Sequence, residues 1–277
     1  MPQLAMLFRQ YPLDAHVFFT GPLCSSVPFD GVNPSGHLHL LRKGTLRITH
    51  PDGSALAFAE PTAIFYARPM AHTLQPGPET ELICAEFRFG DLTRNPITRS
   101  MPQTLALPLA ALPALSPAVA LLAEEAQQHR PGRQTALDRL GEYLLILLLR
   151  HLIETQALNA GAVAGLADAR LQKVLTAVHE APARPWTVAT MAHTAGMSRS
   201  RFAHHFCATI GMTPMDYVAD WRIALTQNLL LRGRALKAIA AEIGYASPAT
   251  LARVFVRRTG QSPGRWLAAA NAGRDNL

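Results

Sequence analysis

Between Ser198 and Phe206 the chain gathers Arg199, Ser200, Arg201, His204 and His205 around Phe202 and Phe206. Between Ser247 and Arg257 it gathers Pro248, Ala249, Thr250, Arg253 and Arg257 around Leu251 and Phe255. Apolar residues four apart share a helix face, so each stretch, folded as a helix, buries one stripe and leaves the polar side chains outside. Guanidinium, imidazole and hydroxyl groups near the start of an exposed helix suit the base-pair edges of a major groove, where arginine meets guanine with two hydrogen bonds. A third group is different in kind. His37 and His39 are two apart in an apolar stretch, and His72 closes the run Ala67-Arg68-Pro69-Met70-Ala71-His72. Alternate residues of a strand share a face, and three imidazoles turned to one interior are a donor set for zinc, nickel or iron. An interior histidine also serves as a core residue, or as a hydrogen-bond donor to an organic ligand.

The elements that would position the first two groups emerge from an internal repeat. Ala192 and Gly196 correspond to Ala240 and Gly244 at an offset of 48. After one inserted residue, Phe202, Phe206, Gly211, Thr213, Pro214 and Tyr217 correspond to Leu251, Phe255, Gly260, Ser262, Pro263 and Trp266 at an offset of 49. Two copies of one supersecondary unit follow, each read as helix, tight turn, helix. In the first, Thr187 caps a helix to about Ala195, Gly196 supplies the turn, and Ser198 caps a second helix ending before Gly211. In the second, Leu236 to Ile243 precedes Gly244, and Ser247 places a capping hydroxyl before Pro248 at the first helical position. The two copies are unequal, because Pro248 and Ala249 offer no side-chain hydrogen bond. The first unit is therefore expected to discriminate bases more strongly, and the second to sit on phosphates or touch thymine methyls.

Charge is divided along the chain. Residues 1–168 hold 12 Lys and Arg against 14 Asp and Glu, whereas residues 169–277 hold 14 against 5. A basic half beside a near-neutral one suits a polyanion, since each cation that neutralises a phosphate releases condensed counterions. With 49% hydrophobic and 16% charged residues the chain can fill two cores, which excludes wholesale disorder. The longest apolar run, Tyr143 to Leu149, falls far short of the roughly 20 residues of a membrane span. Arg9 interrupts the first residues and no secretory signal is read there, so the expected location is cytoplasmic, with no membrane partner. Cys24, Cys84 and Cys207 are odd in number and far apart, which argues against disulfides or a zinc ribbon and for small buried hydrophobes.

Residues 15–90 alternate short apolar stretches with turn residues. Strands are expected at 16–21, 37–41, 44–49, 56–59, 63–66 and 81–89, separated by clusters such as Pro51-Asp52-Gly53 and Gln75-Pro76-Gly77-Pro78. This is the pattern of a small antiparallel barrel or sandwich. Residues 100–115 read as a connection, helices follow at about 116–129 and 135–155, and the Ala- and Gly-rich stretch 155–168 reads as a linker. Leu121, Leu122, Leu137, Leu140, Leu144, Leu147 and Ile153 spread over a wide apolar surface, to be buried within the chain or against a partner helix.

Over about 170–267 the chain resembles the AraC/XylS family of transcription regulators. The resemblance rests on Gly244-Tyr245-Ala246-Ser247, Phe255 and Thr259-Gly260-Gln261-Ser262-Pro263 through Trp266. It implies that a helix from Pro214 to Leu231 joins two recognition helices that enter successive major grooves about 34 Å apart. Base-edge candidates are then Arg199, Ser200, Arg201 and His204, with Pro248, Ala249, Thr250 and Arg253 at corresponding places; His205 and Arg257 complete the DNA-binding set. Upstream, residues 10–95 resemble a cupin-type sensing domain, on Gly31, His37-Leu38-His39, Gly44-Thr45-Leu46-Arg47-Ile48 and Phe87-Arg88-Phe89. The chain departs from metal-binding cupins where they place a Glu three or four residues after the second His; here stand Lys43 and Gly44.

The resulting expectation is an α+β two-domain protein. A cupin-like antiparallel β-barrel for effector sensing (1–100) is followed by a connection and helical dimerisation segment (101–155), a linker (156–168) and an all-α domain of two helix-turn-helix units (169–270). The implied partners are double-stranded DNA, a small-molecule or metal effector, a second copy of the chain and RNA polymerase. No cofactor is required, a zinc, nickel or iron ion at His37, His39 and His72 being the one candidate. The protein is expected not to be an enzyme; the alternative is a metal-dependent cupin enzyme fused to a DNA-binding module.

Overall fold

The structure is a computed structural model that describes residues 8, 13–33, 35–89, 98, 101–155 and 161–272. The chain divides into two compact units, one spanning Pro12–Asn159 and one built on Ala160–Leu277.

The first unit contains strands β1 (Leu13–Pro22), β2 (Val27–Phe29), β3 (Gly36–Lys43), β4 (Leu46–Thr49), β5 (Ala55–Phe58), β6 (Thr62–Tyr66), β7 (His72–Pro76), β8 (Glu81–Phe89) and β9 (Thr104–Pro108). They form an antiparallel sheet ordered β1-β8-β3-β6-β9 and a second ordered β2-β7-β4-β5. Leu46 and Ile48 are buried while Arg47 between them is exposed, the period of two that one covered face imposes. Strands β3 and β6 are buried along nearly their whole length, as interior strands covered on both faces must be. Leu41, Leu46, Ile48, Ile64, Tyr66, Leu74, Leu82 and Cys84 interleave between the sheets as a single core.

The strands thus make two sheets, and among the described residues no strand pairing joins them, which corrects the expectation of a closed barrel. Three strands lie outside the expected set. β2 and β7 are short and interrupted by proline or polar residues, and β9 falls in the stretch read as a connection, where it extends the larger sheet beside β6. Helices α1 (Ser116–Gln127) and α2 (Arg133–Glu154) pack on each other, and α2 lies along β1. Its Gly141 packs closely on Ala15 and Val17, where an added Cβ would stand 3.3 Å from each side chain. Leu137, Leu144, Leu147 and Ile153 are consequently buried within this unit, whereas Leu121 is exposed.

The second unit is helical: α3 (Ala162–Ala167), α4 (Ala169–Glu180), α5 (Val188–Thr194), α6 (Arg199–Ile210), α7 (Pro214–Leu231), α8 (Leu236–Glu242), α9 (Pro248–Thr259) and α10 (Pro263–Ala272). Of the expected linker, 156–160 lies outside the described residues, and 162–167 is α3. The helix starts follow the local chemistry read from the sequence. Thr187 and Thr190 cap α5 reciprocally, Ser198 caps α6, Thr213 caps α7 ahead of Pro214, and Ser247 caps α9 ahead of Pro248. Gly211 and Gly260 close α6 and α9 in the left-handed conformation.

Candidate nucleic-acid interface and interior cleft

The repeat is visible in the packing. Phe206 and Tyr217 meet edge to face at 5.8 Å and 75°, and Phe255 and Trp266 do so at 5.9 Å and 73°. Each second helix, α6 and α9, is therefore held to the following helix by the same aromatic pair. The two helix-turn-helix repeats are further tied by α7. Arg222 on α7 donates from Nε to the Pro182 carbonyl and from Nη2 to the Arg184 carbonyl, and its guanidinium lies over the Tyr245 ring, 5.4 Å from the centroid. Gly244 carries a φ of +87°, and a Cβ there would stand 2.5 Å from the Ala183 carbonyl oxygen, so the second turn is pressed against the chain that enters the first helix-turn-helix repeat.

On α6, Arg199, Ser200, Arg201 and His204 are exposed. On α9, Ala249, Arg253 and Arg257 are exposed. Among the described residues Arg199, Arg201, Arg253 and Arg257 have no ion-pair partner. Two members of the expected set are engaged inside the protein. The His205 imidazole is 2.7 Å from Asp168 Oδ2, and Asp168 also caps α4 by accepting from the backbone of Arg170 and Leu171. The Thr250 hydroxyl is 3.0 Å from Ser247 Oγ within the cap of α9. Sequence reading missed Arg258, which bridges from α9 to Asp216 and Asp220 on α7. Hydrogen bonds from the Thr213 hydroxyl and the Arg258 guanidinium hold the Asp216 carboxyl below the usual range. Arg257 and Arg258 are adjacent and chemically identical, so only the packing of the helix separates the exposed one from the one that bridges.

In the first unit, His37, His39 and His72 are all buried and close together. The rings of His39 and His72 are 5.1 Å apart between centroids, and their Nε2 atoms are 2.9 Å apart. His72 Nδ1 is 2.8 Å from the Met70 carbonyl, which only accepts, so that nitrogen carries the proton. In a neutral ring His72 Nε2 then accepts from His39 Nε2, and His39 Nδ1 accepts from the Cys84 thiol at 3.2 Å. Burial favours this neutral chain: it pushes His39 well below its ordinary pKa, takes His72 down to about 4 and pushes the Cys84 thiol up. Phe29 and Tyr66 both stack on His72, nearly parallel to it, at 4.7 and 4.2 Å.

Both Nε2 atoms are thus committed to each other. Among the described residues no group of three or more His, Cys, Asp or Glu is placed to hold a metal ion. Lys43 stands outside this cluster, in an exposed ion pair with Glu79 at 2.8 Å. His37 instead lines a cleft of about 550 Å³ with Phe18, Phe29, Asp30, Asn33 and Glu86. The register of β3 against β8 sets this arrangement, since His37 faces Glu86 and His39 faces Cys84. Glu86 and Cys84 are two apart on β8, a strand-face signal present in the sequence beside Phe87-Arg88-Phe89 but outweighed there by the hydrophobic pattern.

A basic unit of two capped helix-turn-helix repeats, behind a two-sheet unit with an interior cleft, defines a two-domain DNA-binding protein. Known proteins agree. A cupin family model matches residues 3–154, more than half of the chain, and a helix-turn-helix domain model matches residues 191–269. An AraC-like transcription regulator of Streptomyces lividans is 32% identical over 258 residues, covering 81% of this chain and 84% of that protein. Another from Streptomyces antibioticus is 36% identical over 192 residues, covering 68% and 63% respectively. Among solved structures, the DNA-binding domain of the global transcriptional factor AdpA in complex with a target DNA is 29% identical, with a TM-score of 0.37, covering 40% of this chain and 100% of that one. The chain belongs to the AraC-like family of transcription regulators, with an N-terminal cupin domain. It is a DNA-binding regulator of transcription, and its relatives are named as regulators rather than as enzymes. Among the described residues no helix is long and apolar enough to cross a membrane.

Proposed function

We propose that the chain regulates transcription in response to a small organic molecule bound in the cleft of the first unit, and reads DNA mainly through α6. The observation that carries the effector reading is the cleft itself, whose volume of about 550 Å³ lies within the range of small-ligand sites. Its wall is connected to α2. Val17, next to the Phe18 that lines the cleft, donates its backbone N–H to Asp138 and accepts at its carbonyl from Gln134 Nε2, both on α2. A ligand that prefers one position of this strand biases α2, which is the condition for coupling between sites. The exposed donors of α6 read base edges through Arg199, Ser200, Arg201 and His204. The exposed Arg253 and Arg257 of α9 hold phosphates, with Pro248 and Ala249 against the groove wall. The helical pair α1–α2, with exposed Leu121, carries self-association, and DNA binding and polymerase contact follow from the dimer.

An organic effector is favoured over a metal because the imidazole nitrogens of His39 and His72 bond each other, Met70 and Cys84. Protein purified without an affinity tag should stay metal-free after titration with zinc or nickel; retention of one equivalent would reverse the choice. The effector reading is tested by anisotropy titration of a duplex selected by the protein, in the presence of a panel of small organic molecules. Compounds that change the apparent Kd of the natural chain should have no effect on Asn33→Trp, which fills the cleft from its rim. Equal effects on both proteins would place the effector site elsewhere.

A further inference from the structure

The cleft has a chemical bias. Its acidic lining groups are the carboxylates of Asp30 and Glu86, the lining His16 faces Asp138 at 3.4 Å, and among the described residues neither lysine nor arginine lines it. Glu86 is held in place: its Oε2 accepts from Asn33 Nδ2 at 2.9 Å and from Ser35 Oγ at 3.1 Å, while Arg88 reaches its Oε1 from outside the lining at 3.5 Å. Asp30 accepts one backbone hydrogen bond, from Val32, and has no cationic partner among the described residues. Three rings line the cleft with these carboxylates. Phe29 lies 4.9 Å from His37, and Phe18 lies 6.1 Å from Phe29 and 6.4 Å from His37. The register of β1 against β8 skips between Val17 and Phe19, so Phe18 is the extra residue of a bulge, and it is 42% exposed for an apolar side chain. His37 is 6% exposed, and its Nδ1 is buried without a hydrogen-bond partner. A buried polar atom left without a partner is costly unless something meets it.

We propose that this cleft binds a small organic ammonium with an aromatic or apolar body. Its cationic group sits between Asp30 and Glu86 against the faces of Phe18 and Phe29, and its polar end approaches His37. Aromatic faces attract a cation through their quadrupole, and carboxylates supply its counter-charge. The same two carboxylates repel an anionic molecule of equal size. This inference rests on the reading of the cleft as the effector site and names the class of molecule that fits it.

Calorimetric titration of the full chain with phenethylammonium, 2-phenylethanol and phenylacetate, which share a ring and differ in charge, tests the assignment. Phenethylammonium should bind at least about tenfold more tightly than 2-phenylethanol, and phenylacetate should not bind. Asp30→Asn should weaken the ammonium about tenfold and leave the alcohol unchanged. Phe18→Leu, at an exposed position that keeps apolar area but removes the ring, should also weaken the ammonium selectively. Phenylacetate or the alcohol binding as well as the ammonium, no response to either substitution, or no binding by any of the three would overturn the proposal. The outcomes separate from those of the effector reading. A neutral or anionic compound that changes DNA affinity in an Asn33-dependent way defeats the cation class and keeps the effector site, whereas a cation that binds without changing DNA affinity does the reverse.

Discussion

Among single residues, the donors of α6 and α9 divide into those that are exposed and those already used inside the protein. Arg201 is exposed on the first turn of α6, and the corresponding start of α9 offers Pro248, Ala249 and a Thr250 whose hydroxyl lies in its own cap. Arg201→Ala should therefore lose about 1–3 kcal/mol of discrimination at particular base pairs of a selected duplex. Arg253→Ala should weaken binding almost uniformly and lower the salt dependence by about one unit of slope. Titration onto single-base variants of that duplex compares them, and equal sequence-dependent loss from both would end the asymmetry. Arg258→Met tests the opposite case, a basic residue of α9 that serves the fold. Arg258 is partly buried and bridges to Asp216 and Asp220, so the substitution should cost about 1–2 kcal/mol of unfolding free energy in denaturant titration, allowing for solvent screening of the exposed partner. These distinctions were beyond the sequence, since side-chain type marks a donor but not whether a neighbouring helix has taken it; His205 against Asp168 is the clearest instance.

At the scale of elements, the turns and caps were legible because their chemistry is local. Thr187, Ser198 and Ser247 cap the helices at which they were placed, and Gly196 and Gly244 occupy the two turns. Their substitutions should nevertheless differ. Gly196 has a φ of +63° with open space around it, so Gly196→Ala should cost about 1 kcal/mol in left-handed strain. Gly244→Ala meets the Ala183 carbonyl as well, and should cost about 3 kcal/mol or more and weaken DNA binding by loosening the second helix-turn-helix repeat from the first. Melts of the two variants in parallel check the order. β2, β7 and β9 were not legible, because short strands, two of them at sheet edges, are defined by the strands beside them rather than by their own alternation. The second unit also carries a titration signature. His179 is buried, stacks on Trp221 at 3.7 Å and meets the Tyr217 hydroxyl at 2.7 Å, and burial lowers its pKa to about 3. It is neutral when folded, and the unfolded chain takes up a proton below its ordinary pKa of 6.5. Stability is thus retained above that value and lost as pH falls below it, by about 2 kcal/mol at pH 5. Trp186, Trp221 and Trp266, the chain's three tryptophans, all lie in this unit, so fluorescence-detected denaturation at pH 7.5 and pH 5 reads it directly. His179→Gln should flatten the dependence.

For the molecule as a whole, the division of charge and the internal repeat announced two units, and a cupin model matches residues 3–154 while a helix-turn-helix model matches residues 191–269. What the sequence could not supply was the interior of the first unit. Spacing put His37, His39 and His72 in one group, and their rings do lie 5.1 to 5.9 Å apart between centroids; what spacing did not show is that His39 and His72 join Cys84 in a neutral hydrogen-bonded chain while His37 lies opposite Glu86 at the cleft. The central claim is that two rigidly joined helix-turn-helix units recognise a defined DNA sequence. Selection of duplexes from a random pool by the full chain, at about physiological salt, tests this claim most directly. The account predicts an enriched motif of two half-sites about 10 base pairs apart, centre to centre, with stronger preference in the half read by α6 and loss of that half on Arg201→Ala. Recovery of unselected sequence, with binding governed by salt alone, would contradict it.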